Sequence, residues 1–158
     1  MGTGSYEVPP SVAFLVSRLG YEVSGQLTAG LAPLGIEPRD FGLLRAISQS
    51  GGGSQRSIGQ ALNIPPSRMV TLIDDLESRR LVRRRPHPSD RRAHALYLTS
   101  AGTRLLGKAL AVAMDVEAAL CAGLAPAERE RLLGLLGRLA AGAAPPGVHP
   151  ALPDAGRA

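Results

Sequence analysis

The stretch that decides the fold runs from Ser57 to Gly102 and reads SIGQALNIPPSRMVTLIDDLESRRLVRRRPHPSDRRAHALYLTSAG. It opens with two short helical patterns separated by a tight break. Ile58, Ala61 and Leu62 recur at helical spacing. Ser54, just upstream, suits the N-cap because its hydroxyl can accept from an unpaired amide of the first turn. Asn63 tolerates the left-handed conformation that closes a helix. Pro65 and Pro66 fit a first helical turn and nothing deeper, so a second helix is expected from about Pro66 to Arg80. The spacing turns Val70, Ile73 and Leu76 toward a core and puts Ser67, Thr71, Asp75 and Ser78 on the other face, with Arg68 beside them. Two short helices joined this closely predict a helix-turn-helix. The period then changes: Leu81–Arg85 and Ala93–Leu98 read as two strands, with the proline-broken Pro86–Arg92 as the tip of a hairpin.

Working outward, the flanks are helical. Val12, Leu15, Val16, Leu19, Val23, Leu27 and Leu31 form one stripe, and PLGIEPRD breaks it. A second helix from about Pro38 carries Phe41, Leu44 and Ile47 and stops at three consecutive glycines, Gly51–Gly53. After the hairpin, Thr99 caps a long helix bearing Leu105, Leu106, Leu110, Ala113 and Val116, and Pro126 starts a last one bearing Leu132, Leu136 and Leu139. The expected fold is all-α dominated with a small β wing: a winged helix-turn-helix with N- and C-terminal dimerisation helices. One domain is expected over 11–142, with a DNA-binding lobe at about 54–98 and dimerisation helices at about 11–34 and 99–142. Segments 1–10 and 143–158 read as flexible ends.

Charge points to a partner. Of 158 residues 18 are basic, all Arg except Lys108, and 13 are acidic. Ser54–Leu98 contains nine Arg against Asp74, Asp75, Glu77 and Asp90, whereas the remainder balances nine basic with nine acidic residues. The whole excess of +5 therefore sits in 45 residues, as a polyanion-binding surface requires. No stretch has the ~20 apolar residues of a membrane span. Met1–Pro10 shows no secretory signal pattern, and a single cysteine, Cys121, fits a reducing cytoplasm.

The same block resembles the MarR family of bacterial transcription regulators. The likeness rests on Leu76-Glu77, Leu81-Val82, Asp90-Arg91-Arg92 and the helix start Leu98-Thr99-Ser100-Ala101-Gly102. Arg80 departs from it, since the family usually has Gly there, and a tighter or differently capped turn is expected at that point. The resemblance implies a homodimeric, ligand-responsive repressor on a pseudo-palindromic duplex. It also implies that Arg92 enters the minor groove at the wing tip with Asp90 orienting it, Arg91 lying between them.

Physical reading of the residues supports double-stranded DNA independently. A helix fits the major groove, and Ser67, Arg68 and Thr71 stand where side chains reach base edges. Arg83, Arg84 and Arg85 suit phosphate contacts. Five scattered aromatic residues (Tyr6, Phe14, Tyr21, Phe41 and Tyr97) make no stacking platform for single strands. The resemblance further implies a small-molecule effector held between the dimerisation helices and the DNA-binding lobe, where the first two helices and the start of the long one would line its pocket with Arg18, Tyr21, Phe41, Arg45 and Leu105 as wall residues. Enzymatic activity is not expected: His87, His94 and His149 are dispersed, and no phosphate loop or nucleophile elbow occurs. No cofactor or metal is expected either. Two alternatives remain, a redox-sensing regulator acting through Cys121 and a non-specific basic DNA-binding protein. Cys121 reads as a packing thiol, with no nearby His or Arg to lower its pKa.

Overall fold

The computed structural model describes residues 11–87 and 90–142, the side chains of 87–93 excepted. The segments read as flexible ends, 1–10 and 143–158, lie outside the described residues. Helix α1 (Val12–Leu31) is capped by Ser11 and runs into a short 3-10 turn, Ala32–Leu34. Next come α2 (Pro38–Ser50), α3 (Gln55–Ala61), α4 (Pro66–Ser78), the antiparallel strands β1 (Val82–His87) and β2 (Asp90–Leu98), α5 (Ser100–Leu120) and α6 (Pro126–Ala141). This is the winged helix-turn-helix expected from the sequence. The strands reach further into the hairpin tip than their residue types suggested, with a register irregularity between Pro86 and His87.

The core is built where α2, α3, α4 and the wing converge. Leu31, Leu43, Leu44, Ile47, Met69, Ile73, Leu76, Val82 and Leu96 are fully buried there. On α4 the inward positions are Met69, Ile73 and Leu76. Val70, expected in the core, is instead exposed. Met69 and Val70 are adjacent apolar residues, and spacings of four-then-three or three-then-three both look helical; packing selects the first.

Both ends of the helix-turn-helix close the same way. After α3, Asn63 is left-handed (φ 52), and its amide and that of Ile64 donate to Gln60 and Gly59 carbonyls at 3.1 and 2.8 Å. After α4, Arg80 is left-handed (φ 57), with amides of Arg80 and Leu81 donating to Glu77 and Leu76 carbonyls, both at 2.9 Å. Each is a complete Schellman closure. The differently capped turn expected at Arg80 is therefore corrected: the turn is the ordinary one, and an arginine carries a conformation that costs an L-residue about 1 kcal/mol.

Two joints fix α4 and the wing to their neighbours. Arg79 donates to the Gly35 carbonyl (2.6 Å), to Asp75 (3.1 Å) and to the buried Asp40 (3.4 Å), tying the end of α4 to the α1–α2 turn. At the other side Thr99 caps α5 by accepting from the Gly102 amide (3.0 Å), and its hydroxyl donates to the Arg80 carbonyl (2.6 Å). Gly102 is needed here, because a Cβ would collide with the Leu81 carbonyl. The Leu-Thr-x-x-Gly signature is thus a docking joint between α5 and the strand entry.

Candidate nucleic-acid interface

The outward face of α4 carries Ser67, Arg68, Val70, Thr71, Asp74, Asp75 and Ser78, all exposed. Neither Ser67 nor Arg68 has an ion-pair or side-chain partner among the described residues, and Thr71 makes only a long bond to the Ser67 carbonyl (3.4 Å). The N-terminal half of the helix therefore presents uncommitted polar groups. Its C-terminal half does not: Asp74 is bound by Arg84 (2.6 Å), Asp75 by Arg79, and Ser78 donates to the Asp75 carbonyl (2.7 Å).

The three arginines of β1 separate by strand alternation. Arg84 shares a face with Val82 and Leu96, which are at most 1% exposed. Its stem follows that apolar surface and its guanidinium reaches Glu77, Asp74 and, at 3.3–3.4 Å, Gln55. Partial burial works against its charge, but hydrogen bonds to Asp74 and Glu77 outweigh this and raise its pKa above the ordinary value. Arg83 and Arg85 point to the opposite face and are exposed, with no acidic partner among the described residues. Arg85 lies over the Tyr97 ring, 5.7 Å from its centroid, which steadies its direction. The backbone of Asp90, Arg91 and Arg92 runs in β2, and their side chains lie outside the described ones.

This pairing redistributes the charge. Asp74, Asp75 and Glu77 are spent on Arg79 and Arg84, so exposed Arg56, Arg68, Arg80, Arg83 and Arg85 carry the segment's positive excess. Arg56, in the first turn of α3, and Val70, on α4, are exposed residues of this surface that the sequence reading did not place there. Arg56 could have been included from its place in the basic segment just after the Ser54 cap.

The five effector candidates are not gathered into one wall: Leu105 is half-buried against the core. Phe41 belongs to the core, whereas Arg18, Tyr21 and Arg45 are exposed. An apolar cavity of about 320 Å³ lies elsewhere, between α1, α5 and α6, lined by Val23, Leu27, Val116, Leu120 and Leu136 among others. Cys121 lines it too, and so does Arg129 from α6. The expectation that no arginine approaches the thiol is thus corrected by the α5–α6 packing. That arginine is committed to the Glu117 carboxylate, which holds its pKa above the ordinary value. Among the described residues no cluster of three metal-ligating side chains occurs, and no helix is long and apolar enough to cross a membrane.

A helix-turn-helix with an open polar N-terminal face, flanked by a wing with outward arginines, defines a DNA-binding transcription regulator of the winged-helix class. Comparison with known proteins makes this specific. A model described as MarR family matches residues 34–93. The chain is 33% identical over 129 residues to the HTH-type transcriptional repressor Rv2887 of Mycobacterium tuberculosis, covering 80% of this chain and 93% of that one. It is equally similar over 105 residues to a Thauera aromatica protein assigned to regulation of the hcr operon, of which it spans 63%. In three dimensions it matches CouR from Rhodococcus jostii RHA1 bound to p-coumaroyl-CoA, with a TM-score of 0.74, 29% identity and coverage of 89% and 99%. It also matches Rv2887 in complex with DNA (TM-score 0.70, 28% identity, coverage 82% and 98%). The chain belongs to the MarR family.

Proposed function

We propose that the protein is a homodimeric, effector-responsive repressor that places two α4 helices in successive major grooves of a pseudo-palindromic operator. The observation that carries this is the division of labour on α4: its C-terminal acids are satisfied by Arg79 and Arg84, while Ser67, Arg68 and Thr71 stay uncommitted at the end that meets the bases. Arg83 and Arg85 contact phosphates on either side, and Arg84 holds β1 against α4. For the wing tip the reading draws on the family resemblance alone, which assigns the flanking minor groove to Arg92 beside Asp90 and Arg91. The exposed apolar stripes of α1 and α6 support the homodimer, and membership of a family of DNA-binding regulators supports a cytoplasmic location.

The effector reading draws on relatives: CouR binds p-coumaroyl-CoA, and Rv2887 has been seen with p-aminosalicylic acid. Aromatic acids and their coenzyme A thioesters are therefore the first compounds to try, with Arg18, Tyr21 and Arg45 as exposed residues to substitute singly and Phe41 as a core residue. Footprinting over the promoter of the protein's own gene tests the proposal. Protection that a member of such a panel releases is the expected result; protection that ignores sequence would leave a general polyanion surface.

A further inference from the structure

Between Ser54 and Leu98 Val70 is the exposed large hydrophobic residue among the described side chains, at 45% exposure; the others of this kind lie in α1, α5, α6 and the α5–α6 turn. Nothing in the lobe covers it. The helix gains nothing from it either, since a β-branched residue is a poorer helix former than Ala, Glu or Lys at an open position. It stands one turn beyond Ser67, next to Thr71 and one turn before Asp74, at the edge of the exposed face, about 60° around the helix axis from Ile73.

The major-groove edges of the four base pairs carry donors, acceptors and one apolar group, the C5-methyl of thymine. A valine in a helix has essentially one side-chain rotamer, so its two methyl groups are held in place before contact and little freedom is lost on binding. We propose that Val70 reads the C5-methyl group of one thymine in each operator half-site. This rests on the DNA-binding reading of α4 and adds an apolar base contact to the polar ones of Ser67 and Arg68; Thr71 also carries a methyl, so the Val70 variants are what assign the contact. Apolar packing against the methyl excludes water there, whereas cytosine at that position would leave the valine against a bare ring edge and an amino donor.

The test is a methyl deletion on the DNA. A duplex is first selected from a random-sequence pool with the wild-type protein, and each thymine is then replaced in turn by uracil, which keeps the base pair and removes only the methyl. The expected result is one thymine per half-site at which uracil weakens wild-type binding about fourfold, the worth of one buried methylene-sized group. Val70→Ala should bind the thymine and uracil duplexes equally, and Val70→Thr, which keeps one methyl, should retain a smaller difference. Thermal melting checks that both variants stay folded. No uracil effect at any thymine, or an undiminished effect in Val70→Ala, overturns the assignment while leaving sequence-specific binding intact. A wild-type protein that selects no common sequence would overturn the assignment and the operator reading together.

Discussion

Ile73 and Leu133 are both apolar residues near the middle of amphipathic helices, yet Ile73 in α4 is fully buried and Leu133 in α6 is 70% exposed. The contrast extends to their surroundings. Helices α2, α3 and α4 bury their stripes against each other and against Val82 and Leu96 of the wing. Helix α6 has no buried residue, and the first half of α1 leaves Val12, Phe14, Leu15 and Val16 at least 43% exposed. Continuous apolar faces of this extent are rare on monomers and mark an interaction surface. The lobe buries its apolar stripes within one chain; the helical ends do not, and the proposed two-fold copy is the surface that would cover them.

The largest effect should come from attacking the uncovered ends. Leu133→Glu with Leu136→Glu places two charges in the expected interface, where they cannot be paired. The protomer should keep its helical content, because neither side chain is buried in it, while light scattering shows monomers and operator affinity falls at least a hundredfold. Ile73→Ala probes the other region. It should cost about 2–5 kcal/mol of unfolding free energy, as large-to-small core changes do. Leu133→Ala should weaken the dimer, so that light scattering on dilution shows monomers at concentrations where Ile73→Ala is still dimeric. Equal dissociation of the two single alanine variants on dilution would erase the distinction between the regions.

A smaller contrast separates the arginines. Arg85→Ala should lower the slope of log affinity against log salt by ~1 for each phosphate that a protomer no longer neutralises. Arg84→Ala should leave that slope nearly unchanged and destabilise the lobe by about 1 kcal/mol, since Glu77 and Asp74 lose a shared partner. Salt titrations and denaturant melts on the two variants decide this. The smallest effect belongs to the turn after α4: Arg80→Gly should gain at most about 0.5 kcal/mol in a denaturant melt, the relief of the left-handed arginine less the entropy glycine adds to the unfolded chain.

Much of this layout is legible in the residues because it depends on local punctuation. Asn63, Pro65-Pro66 and Thr99 announce a helix end, a helix start and a cap, and each does so through its own backbone. Phase and partnership are harder. Met69 against Val70 is a choice of 100° about one helix axis, settled by which side chain fits against Ile73 and Leu76. Arg84 looks like Arg83 and Arg85 in sequence, and only folding brings Asp74, Glu77 and Gln55 around it. Arg129 reaches the wall that holds Cys121 through the α5–α6 hairpin, which no local pattern discloses. Proline at position 86 suggested a loop, yet a two-stranded sheet has open edges where a missing amide is tolerated.

Sedimentation equilibrium of the protein on its selected duplex, combined with a hydroxyl-radical footprint of the same complex, tests the central claim most directly. A two-fold dimer whose helical ends are covered only by each other predicts two protomers per duplex. It also predicts two protected patches centred one helical turn apart, roughly 10 base pairs, with two-fold symmetry between the strands. One protomer per duplex protecting a single patch at full affinity would contradict it.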